Sequence, residues 1–178
     1  MTSEGQTPTA DELAALRAQL ARNPGGILES LAGEHGVPLR TVIECLPRET
    51  WSTAAGIRFC EVLDDVVGWG PVTVIVHTPD GVFEWGGPLP PGTLGRGYFN
   101  LQGQGGLTGH LRPDRCHSIV FLRRPFMGKQ TASIQFLNPE GQAMFKIFVG
   151  RDATGELRAD ALARFDALER RLTTSSAA

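Results

Sequence analysis

The hydrophobic pattern of this sequence changes its period at residue 72. From there to residue 150, apolar and polar residues alternate in short runs separated by turn-forming residues, which is typical of β-strands. Seven strands are predicted, at 72–78, 81–87, 97–103, 107–113, 117–124, 131–138 and 143–150. Because consecutive strands with short connections favour antiparallel pairing, we expect one antiparallel sheet.

Helical periodicity flanks this strand-rich segment on both sides. Leu13, Leu16 and Leu20 recur at helical spacing behind a capping box formed by Thr9 and Glu12. Four more helices are predicted, at 27–36, 38–46, 58–69 and 156–172. The predicted class is therefore α+β: an antiparallel sheet of about seven strands with N-terminal helices and a C-terminal helix.

Size, charge and cysteine content narrow the classes of function. A chain of 178 residues, 41% apolar and 20% charged, has the composition of one globular domain. Proteins that bind nucleic acids neutralise the backbone phosphates with an excess of positive charge. The formal net charge of this chain is −2, so no nucleic acid is expected as a partner. No apolar run is long enough to span a membrane, so no membrane insertion is expected. The three cysteines are widely spaced and no signal peptide is visible, which favours the cytoplasm.

Residues 27–47 have the spacing of a helix–turn–helix motif. A DNA-binding regulator would place the second helix in a groove of the duplex. That helix offers only Arg40 as a groove-facing cation, and Glu44 lies beside it. We therefore interpret the motif as a packing element, and DNA binding remains the alternative.

A few side chains could supply metal ligands. His77 and His110 each break a strand pattern near its end, and Tyr98 is the chain's single tyrosine. A phenolate oxygen suits ferric iron, and tyrosine is a known axial ligand of haem. All three could equally be structural, as hydrogen-bonded imidazoles or as a strand aromatic. The adjacent Cys116 and His117 are a weak indication of zinc.

Three sequence blocks, taken in order, resemble one known family. They are HTPDGVFEWGGPLPPG from residue 77, GRGYFNLQGQGGLTGHL from residue 95, and FLRRPFMGKQTASIQFLNPEGQAMFKIFVGRD from residue 121. Together they resemble the HutX/ChuX family of cytosolic haem-utilisation carriers. The resemblance runs from about Gly25 to the C-terminal helix. Residues 1–24 are accordingly predicted to be a helical N-terminal extension, 25–172 the haem-carrier domain, and 173–178 a frayed tail.

The resemblance implies a fold, a ligand and partners. The fold is expected to be similar to one half of the HemS/ChuS haem-trafficking proteins, which contain two tandem repeats. A chain with a single unit is therefore expected to pair as a homodimer. The implied function is to accept imported haem and deliver it to a downstream haem-degrading or storage protein, without catalysis. A haem-degrading or tetrapyrrole-reducing enzyme is the alternative.

The resemblance also implies a set of site residues. His77, Tyr98 and His110 match positions of the family, and each is a candidate ligand of the haem iron. Haem further needs an apolar wall and cations for its two propionates. The candidate wall residues are Phe83, Trp85 and Phe99. The candidate partners of the propionates are Arg96, Arg124 and Lys129.

Overall fold

The computed structural model describes residues 8–104 and 106–173, and the α+β class is confirmed. Five α-helices lie in the described chain: α1 Ala10–Arg22, α2 Leu28–His35, α3 Leu39–Glu44, α4 Phe59–Val66 and α5 Ala159–Thr173. The strands described are β1 Trp51–Ala55, β2 Pro71–Thr78, β3 Gly81–Pro88, β4 Gly92–Gly95, β5 Tyr98–Gln102, β6 Thr108–Leu111, β7 Ser118–Phe126, β8 Lys129–Leu137 and β9 Ala143–Val149.

All strand pairs are antiparallel, as predicted, but the strands form two sheets instead of one. The large sheet has the order β1-β7-β8-β9-β2-β3, and the small sheet has the order β4-β5-β6. The chain leaves the large sheet at Pro88, the last residue of β3, and continues through Pro90 and Pro91. Proline has no amide hydrogen to continue a ladder, so this segment separates the two sheets.

The large sheet is covered by a different core on each face. On one face lies the aromatic core, where α4, α5 and the small sheet pack against the large sheet; its largest fully buried side chains are Trp69, Phe59, Phe121, Phe136 and Phe165. On the other face lies the leucine core, where α1, α2 and α3 pack; it contains Leu16, Leu20, Leu28, Leu31, Leu39 and Leu122. Side chains of a strand alternate between faces, so β7 supplies both cores and is buried throughout its first half.

Phe59 fixes the small sheet to the large one. Its ring meets the ring of Phe99 edge-on at 6.2 Å, and it also packs on Phe136 at 5.2 Å and Phe145 at 5.9 Å. A side chain at Gly92 would place its Cβ 2.2 Å from the Phe99 ring, so only glycine lets β4 approach this closely. Phe99 and Leu101 on the inner face of the small sheet are thereby buried, and the other face of that sheet is open.

The N-terminal segment is part of the same helical layer. The predicted capping box is present: the Glu12 amide donates to Thr9 Oγ1 at 3.3 Å, and the Thr9 amide donates to the Glu12 carboxylate at 2.7 Å. Leu16 and Leu20 of α1 are fully buried in the leucine core. The first seven residues of the predicted extension, and residues 174–178 of the predicted tail, lie outside the described residues.

The helix–turn–helix spacing at α2 and α3 corresponds to a packing element. Leu39, Val42 and Ile43 of α3 are buried in the leucine core. Arg40 pairs with Glu44 at 2.8 Å on the exposed side of the same helix. In the part of the chain that the structure describes, no helix combines the length and the apolar composition needed to cross a membrane.

Candidate functional site

The open face of the small sheet brings together two of the three predicted iron ligands. Phe99 and Leu101 of β5 point into the aromatic core, so Tyr98 and Asn100 point the other way. Asn100 pairs across the ladder with His110 of β6. We call the surface formed by Tyr98, Asn100 and His110 the outer face. On it the rings of Tyr98 and His110 lie 6.1 Å apart at an interplanar angle of 73°.

Asn100 orients the imidazole of His110. Its Nδ2 lies 3.1–3.2 Å from the carbonyl oxygens of Thr93, Gly95 and Tyr98, which fixes which end of the amide donates. Its Oδ1 therefore accepts, and His110 Nδ1 lies 2.7 Å from it as the donor. The hydrogen is then on Nδ1 of the neutral ring, and Nε2 keeps its lone pair. Sequence reasoning missed Asn100, although an asparagine inside a strand is unusual enough to mark the position.

Two arginines flank the outer face. Arg96 and Gly97 form the turn between β4 and β5, with φ angles of 54° and 81°, and Tyr98 follows directly. A left-handed arginine is uncommon, which makes this turn a candidate for a functional role. The guanidinium of Arg112 lies 6.0 Å from the centre of the Tyr98 ring and donates to Asp114 at 2.6 Å. Arg112 is therefore engaged by Asp114, and Arg96, exposed in the turn before Tyr98, is the cation that an anionic ligand at this face could meet.

His77 lies on the opposite side of the large sheet. Val72 and Val74 of β2 face the aromatic core, so His77 faces the helices that cover the other side. Its Nδ1 lies 3.8 Å from Glu29 Oε2 on α2. The large sheet therefore separates His77 from Tyr98 and His110 within one chain.

The predicted wall residues have three different environments. Phe99 is 3% exposed and belongs to the aromatic core, so its ring does not line an open surface. Trp85 is partly buried and packs against the same core. Phe83 is 68% exposed and pairs across the β2–β3 hairpin with the exposed Val76.

The remaining predicted cations lie at the β7–β8 hairpin. Lys129 is exposed at the start of β8. Arg124 donates to the carbonyl oxygen of Pro24 at 2.7 Å and lies over the ring of Phe126 at 5.3 Å. Burial lowers the pKa of Arg124, an effect that the nearby Glu29 carboxylate opposes. Arg124 is therefore engaged by the protein itself.

A groove lies between α2, the turn that follows it, and the tip of the β2–β3 hairpin. Its volume is about 630 Å³. Glu29, Gly33, Gly36, His77 and Thr78 contribute to its walls. We call it the α2 groove. It is the environment of His77, and a volume of this size accommodates a small organic ligand.

Cys116 and His117 do not form a metal centre. Among residues 8–104 and 106–173, no group of three or more His, Cys, Asp or Glu side chains could hold a metal ion. Cys116 is buried, and its thiol donates to the carbonyl oxygen of Ser118 at 3.6 Å. Burial raises the pKa of the Cys116 thiol to about 12. The buried thiol is a structural group.

We expect Cys116 to resist alkylation in the folded protein. With a pKa near 12, about one Cys116 in ten thousand is a thiolate at about pH 8, and the thiolate is the reactive form. A short iodoacetamide pulse followed by peptide mass spectrometry measures the labelling, with the half-buried Cys60 as the internal comparison. Equal labelling rates at Cys116 in the native protein and in urea would contradict this assignment.

Comparison with known proteins assigns the chain to a family. Residues 53–168 match the family model described as haem utilisation ChuX/HutX. The chain belongs to the ChuX/HutX family. A curated relative of this ChuX/HutX protein, the intracellular heme transport protein HutX of Vibrio cholerae, is 32% identical over 151 residues, which are 84% of this chain and 78% of HutX.

Solved structures agree with this membership. The heme-binding protein ChuX is 40% identical, with a TM-score of 0.79, and the match covers 88% of this ChuX/HutX chain and 98% of ChuX. PhuS, a heme-binding protein from Pseudomonas aeruginosa, is 16% identical in its apo form, with a TM-score of 0.75. That match covers 94% of this chain but 50% of PhuS. ChuS, a heme degrading enzyme from Escherichia coli, is 12% identical with a TM-score of 0.71, and the match covers 91% of this chain but 49% of ChuS. The fold is thus that of one half of a ChuS-like protein, as the resemblance implied.

Proposed function

We propose that this ChuX/HutX member is a cytoplasmic haem carrier, which accepts imported haem and passes it to a downstream haem-degrading or storage protein. The observation that carries the proposal is the tyrosine–histidine pair on an open sheet face of a haem-utilisation protein. The relatives HutX and ChuX, named as heme transport and heme-binding proteins, support the same ligand.

The donor chemistry of the outer face fits haem iron. The Tyr98 oxygen is a hard donor suited to ferric iron, and His110 Nε2 is a free imidazole donor held by Asn100. We propose Tyr98 and His110 as the iron-binding pair, with Arg96 beside them as a partner for a propionate. Since the face is open, a bound haem stays accessible to a receiving protein, which is what transfer requires.

A homodimer is part of the proposal. PhuS is about twice as long as the unit it shares with this chain, so a second copy would supply the equivalent of its other half. The exposed pair of Val76 and Phe83 lies on the same side of the large sheet as the small sheet. Exposed paired apolar side chains of this kind favour association.

Phe83→Glu is expected to shift the protein from dimer to monomer. A carboxylate placed in an apolar contact must be desolvated without a partner, which weakens association by at least about tenfold. Sedimentation equilibrium measures the dissociation constant, and Ile57→Glu is the control because Ile57 is an exposed apolar residue elsewhere. An unchanged dissociation constant of the dimer in the Phe83 variant would show that this surface is not the dimer interface.

The carrier function is tested by following bound haem in the presence of a reductant, oxygen and catalase. A carrier keeps its Soret absorption, and the band shifts to that of myoglobin only when apomyoglobin is added as the acceptor. Sustained loss of the Soret band without an acceptor, with catalase present, would instead support the haem-degrading enzyme. Failure to bind hemin would refute both.

A further inference from the structure

Asn100 connects the parts of the outer face. It is half-buried in β5, the central strand of the small sheet. Its amide nitrogen Nδ2 contacts three backbone carbonyl oxygens, among them those of Gly95 and Tyr98 at 3.2 Å, which flank the Arg96–Gly97 turn. Its amide oxygen Oδ1 lies 2.7 Å from His110 Nδ1. One side chain therefore holds both the turn that carries the left-handed arginine and the imidazole on the neighbouring strand.

The amide of Asn100 has one favourable orientation. Rotation about its last side-chain bond would exchange its two ends and place Oδ1 against the three carbonyl oxygens, so that acceptors would face acceptors. It would also turn the amide nitrogen toward His110 Nδ1. The hydrogen of the neutral ring would then lie on Nε2, which must keep its lone pair to bind iron. The three carbonyl oxygens thereby keep His110 in the form that binds a metal.

The acceptor that Asn100 offers to His110 is neutral. A carboxylate in this position would raise the basicity of the imidazole and strengthen its bond to a metal. Hydrogen bonds to a charged acceptor are also about twice as strong as those to a neutral one. Asp114, a short distance beyond β6, is instead bound by Arg112 at 2.6 Å. His110 is therefore oriented by a partner that adds little to its strength as a ligand.

We propose that Asn100 is a positioning residue that holds His110 as a weak iron ligand and thereby sets the rate of haem release. The amide fixes the direction and the tautomer of the ring, and its neutral oxygen leaves the bond between iron and imidazole easy to break. Differences in affinity among variants of one site reside mostly in the dissociation rate. The proposal deepens the carrier function and rests on it.

The tautomer is measured on the ligand-free, full-length protein by nitrogen-15 NMR of the imidazoles at about pH 8.5, where an ordinary imidazole is neutral. We expect the hydrogen of His110 on Nδ1 in the wild type. In Asn100→Leu, which has a side chain of similar shape without the amide, we expect this preference to be lost. A hydrogen on Nε2 in the wild type, or an unchanged tautomer in the variant, would overturn the proposal.

The release rate is measured by transfer of hemin to excess apomyoglobin. Asn100→Leu and Asn100→Asp both remove the amide donor to the carbonyl oxygens, but they place different groups beside His110 Nδ1. We expect release about tenfold faster in the leucine variant and about threefold slower in the aspartate variant. A purely structural role would change the rate in the same direction in both variants. That outcome, or equal rates in all three proteins, would overturn the proposal.

Gln102→Glu is the matched control for Asn100→Asp. Gln102 lies two residues further along β5 and therefore on the same face, where its amide donates to Thr93 Oγ1 at 2.9 Å. The substitution adds the same charge without contacting His110, and a wild-type release rate is expected. Equal slowing in the two acidic variants would assign the effect to the charge of the face and would overturn the role of the hydrogen bond.

Failure of the proposal and failure of the carrier function are distinguishable. A wild-type protein that does not bind hemin would refute the carrier function, and the control of release would fall with it. The tautomer of the ligand-free protein would still decide whether Asn100 positions His110. Hemin binding with the wild-type release rate in both Asn100 variants would instead refute only the role of Asn100.

Discussion

Replacing both proposed outer-face ligands, as Tyr98→Phe with His110→Ala, is expected to lower the affinity for hemin at least about a hundredfold. The substitutions remove both donor atoms, the phenolic oxygen and Nε2, from the same side of the small sheet. Both residues point away from the aromatic core, and Tyr98 is 38% exposed, so the fold is expected to persist. Competition for hemin with apomyoglobin, followed at the Soret band, measures the affinity.

The matched control for this double variant is His117→Ala. His117 is also exposed, but it precedes β7, and its amide donates to the Leu137 carbonyl of β8, so it belongs to the large sheet and not to the outer face. It is expected to bind hemin with the wild-type affinity and spectrum. Wild-type affinity in the Tyr98/His110 double variant would show that haem binds elsewhere on the chain. The two single variants report which residue supplies the stronger ligand, since its loss moves the Soret band further.

Phe99→Ala is expected to lower the free energy of unfolding by about 3–5 kcal/mol. The Phe99 ring is 3% exposed, meets Phe59 edge-on, and fills the space beside Gly92. Its loss leaves a cavity where the small sheet joins the large one. Urea denaturation followed by tryptophan fluorescence measures the change. Because β5 also carries Tyr98, hemin affinity is expected to fall together with stability.

Ile57→Ala is the control for Phe99→Ala, because Ile57 is an apolar side chain that is 90% exposed and lies outside the proposed dimer surface. Substitutions at exposed positions usually change stability by less than about 0.5 kcal/mol. If Phe99 were a wall of the haem site, its replacement would weaken hemin binding and leave the unfolding free energy almost unchanged. That outcome would contradict its place in the aromatic core.

The strands with a local signature were predictable from the sequence. The hairpin of β2 and β3 combines alternating side chains with the turn at 79–81, and its strands lie within a residue of their predicted bounds. The strand β1 was missed because Trp51–Ala55 shows no alternation, and its extended conformation depends on pairing with the distant β7. Pairing partners far along the chain leave no local pattern. The strand β4 was missed for another reason: its four residues, Gly92–Gly95, are too few to show alternation, and it pairs with the adjacent β5.

Tyr98 and His110 could be named as candidates from the sequence, but their arrangement could not be predicted. Tyr98 and His110 meet because Asn100 pairs with His110, and that register is set by the assembled sheet. That Phe99 and Tyr98 point in opposite directions could be predicted, because neighbouring side chains of a strand alternate between its two faces. The separation of His77 from Tyr98 and His110 could not be predicted, because the strand pattern does not reveal which face of the large sheet the small sheet covers.

The most direct test of the haem site is an anomalous-difference map, collected at the iron absorption edge from haem-loaded crystals. We expect the iron peak on the outer face of the small sheet, within bonding distance of Tyr98 or His110. An iron peak in the α2 groove beside His77, with none near Tyr98 and His110, would contradict the proposed site.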